Sequence, residues 1–313
     1  MSDGSAFRVY KYDIKSFYES VSIDDLLNRL RLDVAFSGQP SRIISSLFKD
    51  LKAQSLQGLP RGIALSATLA EYLMRSFDRK ISGYDGVWYY SRFVDDIIVV
   101  ARPDIEPSVF DKFASECLPP GLKFNDKSKW NLFEPYVKNK KEDSKEAPEG
   151  DFDFLGYNFS VSKAYQNKDN NIIRSVKIDI AASKVRRIKT RIALSLIRFK
   201  SDGNFDMLLA RFRLLTSNFT FVDKQTGRRR VSGIYYNYPL VDPSTSKSLL
   251  DLDKFVRSAV LSPHMRNKLR PALTKKDRQR LLRMTFLSGF KKRRFFNFSP
   301  KQIAELKDCW EYA

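Results

Sequence analysis

Apolar and polar positions change period several times along this chain, and each change marks an element. From Tyr89 to Val100, two runs of aromatic and β-branched residues flank the pair Asp95-Asp96, which predicts a β-hairpin carrying acids at its tip. Val9 to Ile14 alternates as a strand ending near Asp13, and Ser22-Ile23-Asp24-Asp25 has the capping-box pattern of a helix start. Leu69, Leu73, Phe77 and Ile81 recur at helical spacing and predict a helix over residues 64–81. A second helix is expected over residues 183–199. There Val185, Ile188, Ile192, Leu196 and Phe199 make one face, while Lys184, Arg187, Arg191 and Arg198 make a basic stripe. Residues 137–150 are polar and aperiodic, the pattern of a loop inside a domain. Gly156 sits within an aromatic strand pattern, which marks a bulge or a close backbone approach.

The acids change the picture. Neighbouring side chains of a regular strand point to opposite faces, so Asp95 and Asp96 can approach one site together only where the chain turns. Taken alone, such a pair is most simply a surface turn. Asp13 is a third carboxylate at a strand end, and if its strand pairs with the hairpin the three converge on one sheet edge. Clustered anions need a cationic partner. Magnesium, which takes hard oxygen ligands together with substrate phosphates, is the natural one, and a pair of such ions serves in-line displacement at phosphorus.

Five segments resemble the motifs of reverse transcriptases, in that family's order and across residues 10–160. Asp13-Ile14-Lys15-Ser16-Phe17-Tyr18 is similar to the first catalytic motif, and Phe93-Val94-Asp95-Asp96 to the aromatic-x-Asp-Asp box. Between them, residues 57–66 (Gln57-Gly58-Leu59-Pro60-Arg61-Gly62 and onward to Ser66) resemble the motif leading into the template-positioning helix. Gly121-Leu122-Lys123-Phe124-Asn125 with Lys127 resembles the downstream Gly-Leu element, and Phe152-Asp153-Phe154-Leu155-Gly156-Tyr157 the primer grip.

The resemblance implies an α+β fold: a right-hand polymerase palm with an antiparallel sheet over residues 1–165, then a mainly helical thumb and C-terminal extension over 175–313. It implies an RNA-directed DNA polymerase in which Asp13, Asp95 and Asp96 are catalytic and hold two Mg2+ ions, with Mn2+ as a substitute. Tyr18, Arg61, Gly62 and Lys127 (or Lys129 in its place) would meet the nucleotide; Phe154, Leu155, Gly156 and Tyr157 would grip the primer; Lys184, Arg187 and Arg191 would hold nucleic acid. The implied partners are an RNA template, a DNA primer and deoxynucleoside triphosphates.

Arg61 stands where many members have Gln, which resembles the bacterial abortive-infection and defence-associated branches. Only twelve residues precede Asp13, where the family places its fingers. A fragment, a reduced variant, or a second protein supplying the fingers would each account for that.

Composition agrees. The chain has 313 residues, 42% of them hydrophobic, enough for a sizeable core in two units, and a formal charge of +20 that favours phosphate-rich partners. Each basic cluster taken singly reads more readily as a solvated face than as a nucleic-acid contact. The aromatic stretch from Tyr235 to Tyr238 reads as a docking patch more readily than as a base-stacking platform, and Tyr18 as a sugar gate or a core aromatic. Cys117 and Cys309 lie far apart without ligand spacing, and His264 is the sole histidine, which excludes zinc-finger, disulfide-framework and His-rich nuclease chemistries within this sequence. With no apolar span or signal pattern, a cytoplasmic location without a membrane partner is expected. The competing readings are a non-catalytic nucleic-acid-binding subunit and untemplated or protein-primed synthesis.

Overall fold

The computed structural model of the chain describes residues 2–33, 38–53, 57–125, 129–137, 148–222, 227–261 and 273–311. The chain forms two compact units: Met1–Gly150 with Val161–Val176, and Asp151–Ser160 with Lys177–Ala313.

The first unit is built on an antiparallel sheet of β1 (Phe7–Asp13), β2 (Val87–Phe93), β3 (Asp96–Ala101) and β4 (Lys129–Phe133), in the order β2-β3-β1-β4. The alternation in β1 decides its faces. Tyr10 and Tyr12 point into the core with Ile97 and Val99 of β3, where helices α4 (Ala64–Ser82) and α5 (Pro107–Cys117) supply Leu73, Phe77 and Phe110. Burial pushes the Tyr10 hydroxyl up to about 12, and it donates to the Ile105 carbonyl at 2.7 Å; the Tyr12 hydroxyl donates to Asp111 at 2.6 Å. The helix expected over 64–81 is α4, with Leu69, Leu73, Phe77 and Ile81 all buried.

Three further helices follow β1: α1 (Phe17–Ser20), α2 (Ile23–Leu32) and α3 (Gly38–Ala53). Ser22 caps α2 by accepting from the Asp25 N–H at 3.3 Å. The reciprocal half of the expected box is replaced by an ion pair: the Asp25 carboxylate turns to Arg29 one helical turn on, at 2.8 Å.

Two expectations about local structure are corrected. Pro148–Gly150 were expected in a loop but belong to strand β5 (Pro148–Phe154), where Glu149 accepts the Glu134 N–H at 2.6 Å and pairs with the buried Arg174. Residues 138–147 lie outside the described set. Gly156 is not inside a strand: with Leu155 it forms the two-residue turn between β5 and β6 (Tyr157–Ser162). Both residues have positive φ, 49° and 84°, as a type I′ hairpin requires. Beyond them lie β7 (Tyr165–Gln166) paired with β8 (Ile172–Ile173), and β9 (Val176–Ile180), which completes a sheet of order β5-β6-β9.

The second unit centres on α6 (Ala182–Asp202), whose Val185, Ile192, Leu196 and Phe199 are buried as the periodicity predicts, while Ile188 is half-buried. Around it lie α7 (Phe205–Thr216), the hairpin β10 (Asn218–Val222) and β11 (Arg229–Gly233), α8 (Lys247–Leu261), α9 (Lys275–Leu282), α10 (Phe286–Lys291) and α11 (Pro300–Lys307). Asp179 anchors α8 by accepting the Lys247 and Ser248 N–H groups at 2.8 and 3.0 Å. Tyr235 packs on Phe290 at 5.3 Å and Tyr238 on Tyr157 at 6.0 Å, so these rings of the aromatic stretch serve docking within this unit.

The β2–β3 hairpin is clamped from within the first unit. Arg92 of β2, with its side chain only 3% exposed, reaches Asp78 of α4 through Nε at 2.7 Å and Nη2 at 2.8 Å. It also pairs with Glu71 at 2.7 and 3.0 Å and donates to the Val94 carbonyl at 3.0 Å. Val94 has φ 59°, an outlying conformation for a β-branched residue that costs roughly 1–3 kcal/mol. The clamp holds that strain in place. Burial opposes the charge on Arg92, but the bonds to Asp78 and Glu71 outweigh it and raise its pKa.

Arg92→Ala is expected to lower unfolding free energy by roughly 2–3 kcal/mol. That is below the 3–5 typical of a broken buried pair, because Glu71 is 60% exposed and can be rehydrated. Chemical denaturation checks this, and a change under 0.5 kcal/mol would show that the clamp does not matter to the fold.

Candidate active site

Register sets two of the three acids opposite each other and the third in the adjoining turn. Asp13 lies directly opposite Asp96 in the β1–β3 ladder. Paired residues share a face, so both sit on the side away from α4 and α5, following Val9 and Lys11 on one strand and preceding Ile98 and Val100 on the other. Asp95 is in the two-residue turn Val94-Asp95 between Phe93 and Asp96. Positive φ at Val94 but not at Asp95 is the pattern of a type II′ turn. The Asp95 carbonyl accepts the Ile14 N–H at 3.1 Å, which ties the turn to the end of β1.

All three acids are partly exposed. Hard oxygen donors at one sheet edge suit a divalent cation. Among the described residues no group of three or more His, Cys, Asp or Glu side chains is gathered as a metal site. Asn125, at the end of the Gly-Leu element, donates from Nδ2 to Asp13 Oδ2, and its backbone N–H donates to the Asp13 carbonyl at 2.8 Å.

Tyr18 is half-buried on α1, edge-on to Phe17 at 5.5 Å. Its carbonyl accepts the Leu59 N–H at 2.7 Å. Gly58 has φ 68°, and a Cβ there would stand 2.2 Å from the Tyr18 oxygen, so this glycine is required for the 57–63 segment to lie against α1. Arg61, in that segment, is held by Glu19 and lies over the Tyr18 ring at 5.9 Å. Lys127 lies outside the described residues, while Lys129 begins β4 opposite Lys11. Phe93 is 63% exposed beside the turn.

In the second unit, the turn Leu155-Gly156 meets the start of α6. The Gly156 carbonyl accepts the Ala181 N–H at 3.0 Å, and a Cβ on Gly156 would come within 3.2 Å of Lys184 Cε. Lys184 and Arg187 are exposed, but Arg191 departs from the expected stripe: its guanidinium packs over the Trp310 ring at 5.6 Å. Burial, then the nearby Arg187 charge, lowers its pKa. Arg198, on the same stripe, faces Asp202 and Asp308 at 3.6 Å each.

Glu19 and Arg92 escaped the sequence reading. A charged Arg92 inside an otherwise aromatic strand was the available signal; nothing local marked Glu19.

The sequence matches the family described as reverse transcriptase (RNA-dependent DNA polymerase) over residues 3–159, half of the chain. No curated protein matches it. Among solved structures, it aligns with telomerase from Candida albicans, determined with a fragment of telomeric RNA, at 11% identity and a TM-score of 0.31. That alignment covers 97% of this chain and 46% of the other, a likeness too weak to argue from. The family match coincides with the sheet and turn that carry Asp13, Asp95 and Asp96, and on it the chain belongs to the reverse transcriptase family.

Proposed function

We propose that the protein is an RNA-directed DNA polymerase. The observation that carries this is the β1–β3 register, which sets Asp13 opposite Asp96 beside the turn bearing Asp95. Asp13 and Asp95 would hold two Mg2+ ions, with Asp96 completing the acidic set. Bound there, the ions supply charge neutralisation on the triphosphate and a lowered pKa at the attacking primer hydroxyl. Asn125 orients Asp13 by its side-chain hydrogen bond, and the Arg92 clamp keeps Asp95 at the turn.

Tyr18 faces the sugar of the incoming nucleotide, with Arg61 and Gly62 near its phosphates and Lys127 in the same role. Phe154 to Tyr157 steady the primer end. The second unit acts as the thumb, with Lys184 and Arg187 on backbone phosphates; Arg191 belongs mainly to its packing. Template RNA, DNA primer and deoxynucleoside triphosphates are the partners. Arg61 at its motif position supports a place among bacterial antiviral defence enzymes. The two unpaired cysteines, Cys117 and Cys309, suit the reducing cytoplasm, and no described helix is long and apolar enough to cross a membrane.

Asp95→Asn is expected to reduce metal-dependent primer extension to background while nucleic-acid binding stays near that of the parent, measured on one preparation. Undiminished extension would remove Asp95 from the metal site. Binding without extension by the parent would favour a non-catalytic subunit.

Tyr18→Val tests sugar selection. A ring against the 2′ position excludes a hydroxyl, and misplacing reacting atoms by about 1 Å can cost about a hundredfold. The substitution is expected to raise ribonucleotide over deoxynucleotide incorporation about tenfold or more, about 1.4 kcal/mol in barrier difference. Equal loss of both activities would return Tyr18 to the core.

A further inference from the structure

Glu19, the partner of Arg61, is the part of this site that the catalytic reading leaves unused. Arg61 donates Nε to Glu19 Oε1 at 2.6 Å and Nη2 to Oε2 at 3.1 Å, a bidentate geometry that fixes the plane of the guanidinium. Nη1 has no acceptor among the described residues, so one end of the fork is held and the other is available to an anion. The plane lies over the Tyr18 ring. Asp95 lies close enough for its charge to act on Arg61: the Glu19 hydrogen bonds raise the Arg61 pKa most, and Asp95 adds in the same direction.

A structural explanation for the pair is weak. The 57–63 segment is already fastened to α1 by the Leu59 to Tyr18 backbone bond and by the close packing of Gly58. Both side chains are largely exposed, at 70% for Arg61 and 48% for Glu19, where ion pairs contribute little to stability. The pair must therefore be judged by what it does to its surroundings. Without the Glu19 carboxylate, the guanidinium keeps two attractors, the Tyr18 ring and the Asp95 carboxylate. A guanidinium settled on Asp95 would compete with a cation for that ligand.

We propose that Glu19 is a positioning residue: it restrains Arg61 over Tyr18, keeping Arg61 off Asp95 and presenting Nη1 to the phosphates of the incoming nucleotide. This rests on the assignment of Asp95 to the metal site. It makes Arg61 harmful when Glu19 is absent, so the effect of losing Glu19 depends on whether Arg61 is present.

The test is a double-mutant cycle of Glu19→Gln and Arg61→Gln on the full chain, read first by Mn2+ binding without nucleic acid, from the electron paramagnetic resonance signal of free Mn2+. Glu19→Gln is expected to weaken Mn2+ binding about threefold or more, within the coupling seen between contacting residues. The double variant should return to the affinity of Arg61→Gln alone, which should bind at least as well as the parent. In primer extension, Glu19→Gln should raise KM for the nucleotide more than it lowers kcat, with the thermal midpoint unchanged. Equal Mn2+ affinity in parent and Glu19→Gln, or equal weakening with and without Arg61, would overturn the proposal. Parent Mn2+ binding that survives Asp95→Asn would instead overturn the metal assignment beneath it, and a parent that binds no Mn2+ would overturn both.

Discussion

The geometry of the acidic edge depends on one buried cation. Arg92 ties β2 to α4 through Asp78 and Glu71 and holds the Val94 carbonyl in the same grip. Without it, a β-branched residue at positive φ would relax, since roughly 1–3 kcal/mol of strain favours any other turn. The turn matters because adjacent residues in a straight strand diverge, so Asp95 and Asp96 can face one site only where the chain bends, as it does at the Val94-Asp95 turn. Burial of the guanidinium makes the clamp stiff, since a charge removed from water must keep its partners or lose their compensation. Tyr90 reinforces it by donating to Asp78 at 2.5 Å.

From that turn the arrangement spreads by backbone bonds. Ile14 reaches the Asp95 carbonyl, Asn125 reaches Asp13, and Lys15 donates to the Lys123 carbonyl at 2.9 Å, so three chain segments converge around the end of β1. Leu59 and Gly58 then seat the Arg61 segment against α1. The side chains above this lattice are mostly polar and partly exposed, which leaves them able to meet a charged substrate; the lattice beneath is backbone and core.

Much of this could be read from the sequence because it is encoded in period. The two-residue alternation of Val9 to Asp13, the turn between apolar runs at Asp95, and the helical repeat of Leu69 to Ile81 each specify an element and a face without outside help. What escaped depends on partners distant in sequence. Arg92 is defined by Asp78 and Glu71 on a helix, Glu19 by Arg61 forty-two positions on, and Arg191 by Trp310. A stripe at helical spacing gave Arg191 the same standing as Lys184, but only the ring beneath it distinguishes a packed cation from an exposed one. At Gly156 the sequence pattern misleads for a local reason: the apolar run continues on both sides of Leu155-Gly156, and only the two positive φ values turn a strand pattern into a hairpin.

If this edge copies RNA into DNA, the nucleotide it adds follows the template. The parent chain is given an oligo(dT) primer on poly(rA), or an oligo(dG) primer on poly(rC), with one deoxynucleotide at a time and Mg2+. dTTP incorporation is expected on the first and dGTP on the second, each several-fold over the mismatched nucleotide. Incorporation indifferent to the template would contradict it, as would none at all on primed templates that the protein demonstrably binds.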